Sequence, residues 1–419
     1  MLLHSVLPIT CLLNRNYCRL NRYIRVNRMH QFRQFVKPIL FTILLGGIVV
    51  AGVFLFPGKL KPYDEVRFLS PRQSPYQGVL KVWQVNDWRV GSYSRTNLLQ
   101  GAARRFEKAN IGVFVEAENV TAEQFAQRLA AGELPDVVSF PDGWAGIDGE
   151  LLLDFNSAAL PPLSSPFARL FSADSRAVPW MAGGQLVLTN NEVGRAVGVE
   201  PPVNDTTWTA DALLAYAQSA ATGRRKKPGM AIAGAAPLFE SLALDGISLA
   251  VFKEKNLLPD KAFRMSIDQA RSVYSARRCA VLLCSQWETA LMGRLASKNK
   301  AFDYAALPWP NGLRPCLSVQ FAAVVRSESE TKNAAATAFV AALLSKGVQS
   351  DVANKVCSLP VVALADDAMP QGEIEKMLFA QLPVARLPLP LKARSLDDIE
   401  AALAGDEAAL ERIRGHYLD

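Results

Sequence analysis

The stretch VPWMAGGQLVLTNNEVGRAVGVEPPVNDTTWTADALLAYA, residues 178–217, decides how this chain is read. Its apolar run Leu186-Val187-Leu188 stops at Thr189-Asn190-Asn191, which predicts a strand ending in two carboxamides. A helical turn is expected from Glu192 to near Gly198, and Pro201-Pro202 keeps it from continuing. Asp205-Thr206-Thr207 reads as a capping run for the next helix, with Trp208 packed against that helix. Asn offers both donors and an acceptor, so a pair at a strand tip can read a polar ligand or cap a helix. The expectation is that Asn191 caps and Asn190 faces a ligand. Gly183-Gly184 suits a hinge, where backbone dihedrals must be free.

Working outward, the pattern stays one of alternating strands and helices. Val79–Val85 reads as a strand, and Thr96–Asn110 spaces Leu98, Leu99, Ala102 and Phe106 as a helix does. Val113–Glu116 is a second strand, Thr121 caps a helix carrying Phe125, Leu129 and Ala130, and Pro135–Phe140 is a third strand. That β-α-β-α-β order requires parallel strands with right-handed crossovers. Downstream, a helix over Ala262–Tyr274, a strand at Ala280–Leu283 and a helix over Ser285–Leu295 repeat the rhythm. Strands near 303–308 and 322–325, a helix over 333–344 and an amphipathic helical stretch over 395–417 follow. The fold class is α/β with two lobes, residues 79–182 with 304–344 and residues 183–303 with 345–419.

These pieces, in this order, resemble the extracellular solute-binding proteins of ABC importers, family 1, sugar-binding type. The resemblance rests on VLKVWQV, the helix ending RRFEKAN, LPDVVSF, the block at 178–217, FDYAALPWPNG, ETKNAAATAFVAALLSKGVQSDVANK and SLPVV. It implies a type II periplasmic-binding-protein fold, a ligand held in an inter-lobe cleft, closure about a hinge, and delivery to ABC permease subunits. Two departures stand out. No cysteine follows the apolar N-terminal segment to carry a lipid, and the Gly-Gly pair often seen where SVQFAAVV sits is absent. The same fold also serves in sensors, so an alternative role is a solute-sensing or interaction protein that signals to a membrane partner.

The 419 residues carry a net charge of +7, and its distribution is uneven. Residues 1–37 hold seven basic side chains and no acid, so the remainder balances at 39 basic against 39 acidic groups. Pro38–Gly58 is uncharged, and its 18-residue core Ile39–Phe56 spans about 27 Å as a helix, close to the bilayer's hydrocarbon thickness of about 30 Å. With a basic flank on one side only, residues 38–58 read as an uncleaved transmembrane anchor, residues 1–37 as a cytoplasmic arm, and the globular part as lying outside the cytoplasm. Met29 is an alternative start, which would make residues 1–28 a gene-model extension. Residues 59–78 read as a linker. Cys279, Cys284, Cys316 and Cys357 fall outside, where disulfides and buried thiols are both open.

Catalytic chemistry is poorly provided for. The histidines are His4, His30 and His416, none within the body of a lobe, so a nucleophile would have no imidazole base. There is no H-E-x-x-H, paired C-x-x-C, P-loop or G-x-G-x-x-G, so neither a metal nor a cofactor is expected. The basic run Gly223–Gly229 is too short for a nucleic-acid surface and reads as a solvated loop. Aromatic residues at strand ends suit sugar rings, with Asp and Asn available for the hydroxyls. The candidate ligand-binding residues are therefore Trp83, Asp87 and Trp88 after the first strand, and Asn190 and Trp287 from the other lobe. Trp309, between two prolines, reads as a structural wedge.

Overall fold

A computed structural model describes residues 72–85, 95–155, 160–171, 175–221, 229–232, 235–255, 257–259, 262, 265–295, 303–365 and 372–418. The expected anchor at 38–58 and the arm before it lie outside these residues. Among the described residues no helix is long and apolar enough to cross a membrane.

The first lobe is built as its pattern dictates. Strand β1 (Arg72–Val85) buries Leu80 and Val82 on one face and Trp83 and Val85 on the other. Helix α1 (Arg95–Ala109) turns Leu98, Leu99, Ala102 and Phe106 inward. Strand β2 (Asn110–Val120) returns parallel to β1. A capping box starts α2 (Ala122–Ala130): the Thr121 hydroxyl accepts from the Gln124 amide at 3.1 Å, and the Gln124 side chain accepts from the Thr121 amide at 2.9 Å. Strand β3 (Val137–Pro141) is wholly buried and parallel to β1. After the short α3 (Ser165–Ala168), β4 (Val178–Gly183) joins the same sheet.

The second lobe begins one residue later. Strand β5 (Gln185–Asn190) leads into α4 (Asn191–Ala196) and α5 (Ala210–Ala221), then β6 (Met230–Ile232), α6 (Ala235–Leu244), α7 (Leu249–Glu254) and α8 (Ile267–Ser275). Strand β7 (Val281–Ser285), α9 (Gln286–Leu295) and β8 (Tyr304–Pro308) complete a four-stranded sheet in the order β6-β7-β5-β8. The chain then crosses back as β9 (Ser318–Val324), antiparallel between β3 and β4, which gives the first sheet the order β2-β1-β3-β9-β4. Helices α10 (Glu330–Leu343) and α11 (Lys346–Val356) follow. The C-terminal part holds α12 (Glu373–Gln381), the paired strands β10 (Leu387–Pro388) and β11 (Tyr417–Leu418), and between them α13 (Leu396–Leu403) and α14 (Glu407–Arg414).

Several boundaries differ from those the sequence suggests, each for an identifiable reason. Arg72 and Gln73 pair with Asn110 and Ile111, so the end of the 59–78 stretch is strand; backbone pairing needs no apolar alternation. Residues 304–308, expected in the first lobe, hydrogen-bond β5 of the second sheet. Helix α11, expected in the second lobe, packs on the first, where the buried Gln349 carboxamide donates to Trp180 O at 2.8 Å and accepts from the Val361 amide at 2.8 Å. The helix expected from Ala262 starts only at Ile267, because Ser266 caps it. The 395–417 stretch is broken at Gly405 (φ +99°), where Asp406 caps a second helix.

Candidate functional site

Strand direction determines what meets between the lobes. In the first sheet the carboxyl ends of β1 and β3 lie side by side, with Gln84 opposite Ser139, at the end where β4 leaves the lobe. In the second sheet β5 runs away from the crossing at Gly184, and antiparallel β7 and β8 run back to it, Ser285 pairing Gln185 and Pro308 pairing Leu186. The carboxyl ends of β1 and β3 and the β7–α9 turn therefore lie at the crossing, whereas the tip of β5 points away.

At the crossing neither glycine takes a positive φ, and both bring the backbone close to neighbouring side chains. A Cβ on Gly183 would sit 2.7 Å from both Gln286 Nε2 and Trp287 Cη2, and one on Gly184 would sit 2.5 Å from Leu378 Cδ2. The Gln286 side chain accepts from the Gly184 amide at 2.9 Å, and Trp287 Nε1 donates to Ser358 Oγ at 3.2 Å. Glu288 closes the turn by accepting from the Ser285 amide at 3.1 Å, and burial raises its carboxyl above the ordinary value. On the first-lobe side Trp144 stands edge-on to Phe125 at 4.9 Å. Gln84 is fully buried, and neither carboxamide atom has a hydrogen-bond partner among the described residues.

An ionic cluster closes one side of the junction. Asp142, directly after β3, accepts from the Val319 amide at 2.8 Å and from Arg394 Nη2 at 2.6 Å. The same guanidinium donates from Nε to Glu240 of α6 at 2.7 Å, and Glu240 also accepts from the Tyr417 hydroxyl. Burial raises the Asp142 carboxyl in spite of Arg394. Burial would raise Glu240 as well, but Arg394, His416 and Tyr417 together hold it below its ordinary value. Desolvation would lower Arg394, yet the Glu240 and Asp142 charges raise it.

The family model for the bacterial extracellular solute-binding proteins matches residues 93–350, more than half of the chain. The chain belongs to this family. Family members are substrate-binding proteins and not enzymes. Among proteins with curated descriptions no sequence match is found. Solved structures agree on the fold. The GacH receptor of Streptomyces glaucescens GLA.O, solved unliganded and with acarbose, is 16% identical, with a TM-score of 0.60 over 81% of this chain and 97% of its own. The cyclic alpha-maltosyl-1,6-maltose binding protein of Arthrobacter globiformis is 15% identical, with a TM-score of 0.59 over 81% and 97%. Thermotoga maritima MalE3 with maltose is 14% identical, with a TM-score of 0.58 over 81% and 98%.

The five residues expected to bind ligand do not all come together. Trp287 lies at the crossing, 7% exposed. Asp87 and Trp88 lie outside the described residues. Trp83 lies inside the first lobe, edge-on to Phe125 at 5.5 Å with the Arg128 guanidinium 4.9 Å from its ring centroid. Asn190 is fully buried at the far end of β5; its Oδ1 accepts from the Val193 amide at 3.1 Å and its carbonyl from the Tyr216 hydroxyl at 2.9 Å. Asn190, not Asn191, is thus the cap, and Asn191 instead donates to Asp303 at 3.0 Å. Asp142, Glu240 and Arg394 gave no local signal, since the residues that meet are up to 252 positions apart. Trp208 and Trp309 are structural, 1% and 3% exposed. Cys284 and Cys316 are buried thiols, and among the described residues no three His, Cys, Asp or Glu side chains gather to hold a metal.

Proposed function

We propose that this protein captures a small carbohydrate between its lobes and presents it to an ABC importer, held at the membrane by residues 38–58 with its lobes outside the cytoplasm. The observation that carries this reading is that the carboxyl ends of β1 and β3 lie at the same lobe crossing as the Trp287 turn. The matching structures support it, since GacH was solved with acarbose and MalE3 with maltose. The carboxylates at the junction support a neutral ligand, because Arg394 already engages both Asp142 and Glu240. Trp287, Asp87 and Trp88 are the proposed contacts: an indole face packs on the apolar side of a pyranose while amide and carboxylate groups take its hydroxyls.

A thermal-shift panel on the full-length chain tests this, using neutral mono- and oligosaccharides beside a polyamine, a sugar phosphate and a short peptide. A solute at about 100 times its dissociation constant stabilises the folded state by about 2.7 kcal/mol. The expected result is a raised melting temperature for one or more saccharides alone. A rise with the polyamine or the peptide only would exclude the carbohydrate reading.

A further inference from the structure

The C-terminal segment carries a buried charge from the second lobe to the first. Arg394 belongs structurally to the second lobe: it immediately precedes α13 and α14, which pack on α6, and its Nε is 2.7 Å from Glu240 of that helix. Asp142 belongs to the first lobe, one residue past β3, and lies 2.6 Å from Arg394 Nη2. The side chains of Arg394, Asp142 and Glu240 are only 12%, 2% and 0% exposed, so water does not screen the pairs. The backbone repeats the link, the Arg394 amide donating to Gly143 O at 3.0 Å. Gly143 is required there twice over: its φ is +79°, and a Cβ would lie 2.5 Å from Arg394 Nη1. A second buried pair, Arg386 with Asp245 at 2.8 Å, holds the same segment beside the returning chain, where Arg386 bridges to Cys316.

We propose that Arg394 braces the two lobes, so that their relative orientation is set by the C-terminal segment and opening at Gly184 requires Asp142 to leave the guanidinium. Separating the pair strands the buried Asp142 carboxylate while Arg394 keeps Glu240, which is more costly than breaking an exposed pair. The charge count makes the brace separable from the fold. Three ions meet, two negative and one positive, so removing the Asp142 charge leaves Arg394 and Glu240 as a neutral pair inside the second lobe. Asn at 142 can still accept the Val319 amide, but its NH2 group cannot accept from Arg394. The brace concerns the unliganded chain and stands whether or not the solute is a sugar.

Hydrogen–deuterium exchange on the full-length chain without added solute tests it. In Asp142→Asn, peptides carrying the Arg394 and Gly184 amides should exchange about tenfold faster, which corresponds to about 1.4 kcal/mol. Those from β7, Val281–Ser285, should keep their protection. Arg394→Lys serves as the second variant, since one ammonium cannot reproduce a guanidinium that addresses two carboxylates from separate nitrogens. The same localised rise is expected. Unchanged protection at Arg394 in either variant, or a rise of equal size in β7, would overturn the brace.

Discussion

Replacing Trp83 by Ala separates a core role from a ligand-contact role at the end of β1. Trp83 is 3% exposed, with Phe125 edge-on at 5.5 Å and Arg128 over its ring at 4.9 Å. Truncating a buried Trp costs about 3–5 kcal/mol, a figure that already contains the aromatic pair and the cation contact. Arg128 would keep its bond to Glu118 at 2.8 Å, so little of the loss should come from stranded charge. With an m value of roughly 3 kcal/mol/M in urea, the unfolding midpoint should fall by about 1–1.7 M. Circular dichroism on the full-length variant reads that midpoint, and calorimetry below it reads solute affinity, which should be kept. A midpoint unchanged within about 0.3 M, together with lost affinity, would refute the placement of Trp83 in the core.

Three further outcomes follow from the same structure. Trp208→Ala should also cost about 3–5 kcal/mol, because the residue is 1% exposed and its Nε1 bonds Pro308 O at 2.9 Å; a urea midpoint shift under 0.3 M would contradict this. Acidification should loosen the lobes before it melts them: Asp142, raised above its ordinary 3.8, takes its proton first in the folded state, so this step costs no stability but removes the charge facing Arg394. Glu240 is lowered from 4.5, so its stabilising contribution is present above that value and is lost only as pH falls through its lower folded value. Exchange at the Arg394 amide, corrected for intrinsic rate, should therefore rise at a higher pH than that at which the melting temperature drops; simultaneous changes would count against it. Protease added outside intact cells should release a soluble fragment by cutting the 59–71 segment, and full-length protein in a detergent-free cytosolic fraction would contradict the anchor.

Much of the fold was legible because its signals are local. The capping box at Thr121, the apolar spacing of α1 and the strand–helix alternation each lie within a few residues. The site was less legible, because it depends on which way a strand runs after the chain changes lobes. LVLTN reads equally well as a strand pointing toward the cleft or away from it, and only the pairing of Ser285 with Gln185 shows that β7, not β5, ends at the crossing. Trp83 shows a second limit: period-two alternation marks both faces of β1 as apolar without saying that α2 covers one of them. Arg394 shows a third, since nothing near it in sequence announces partners on α6 and after β3.

Under this reading, solute binds at the lobe crossing against Trp287. Calorimetric titration of the stabilising saccharide into the wild-type chain and into Trp287→Ala tests it most directly. One site per chain is expected in the wild type, with affinity lower by about two- to twelvefold in the variant, since stacking contributes about 0.5–1.5 kcal/mol and the indole N–H is already bonded to Ser358. Equal affinity in the two proteins would place the solute away from Trp287.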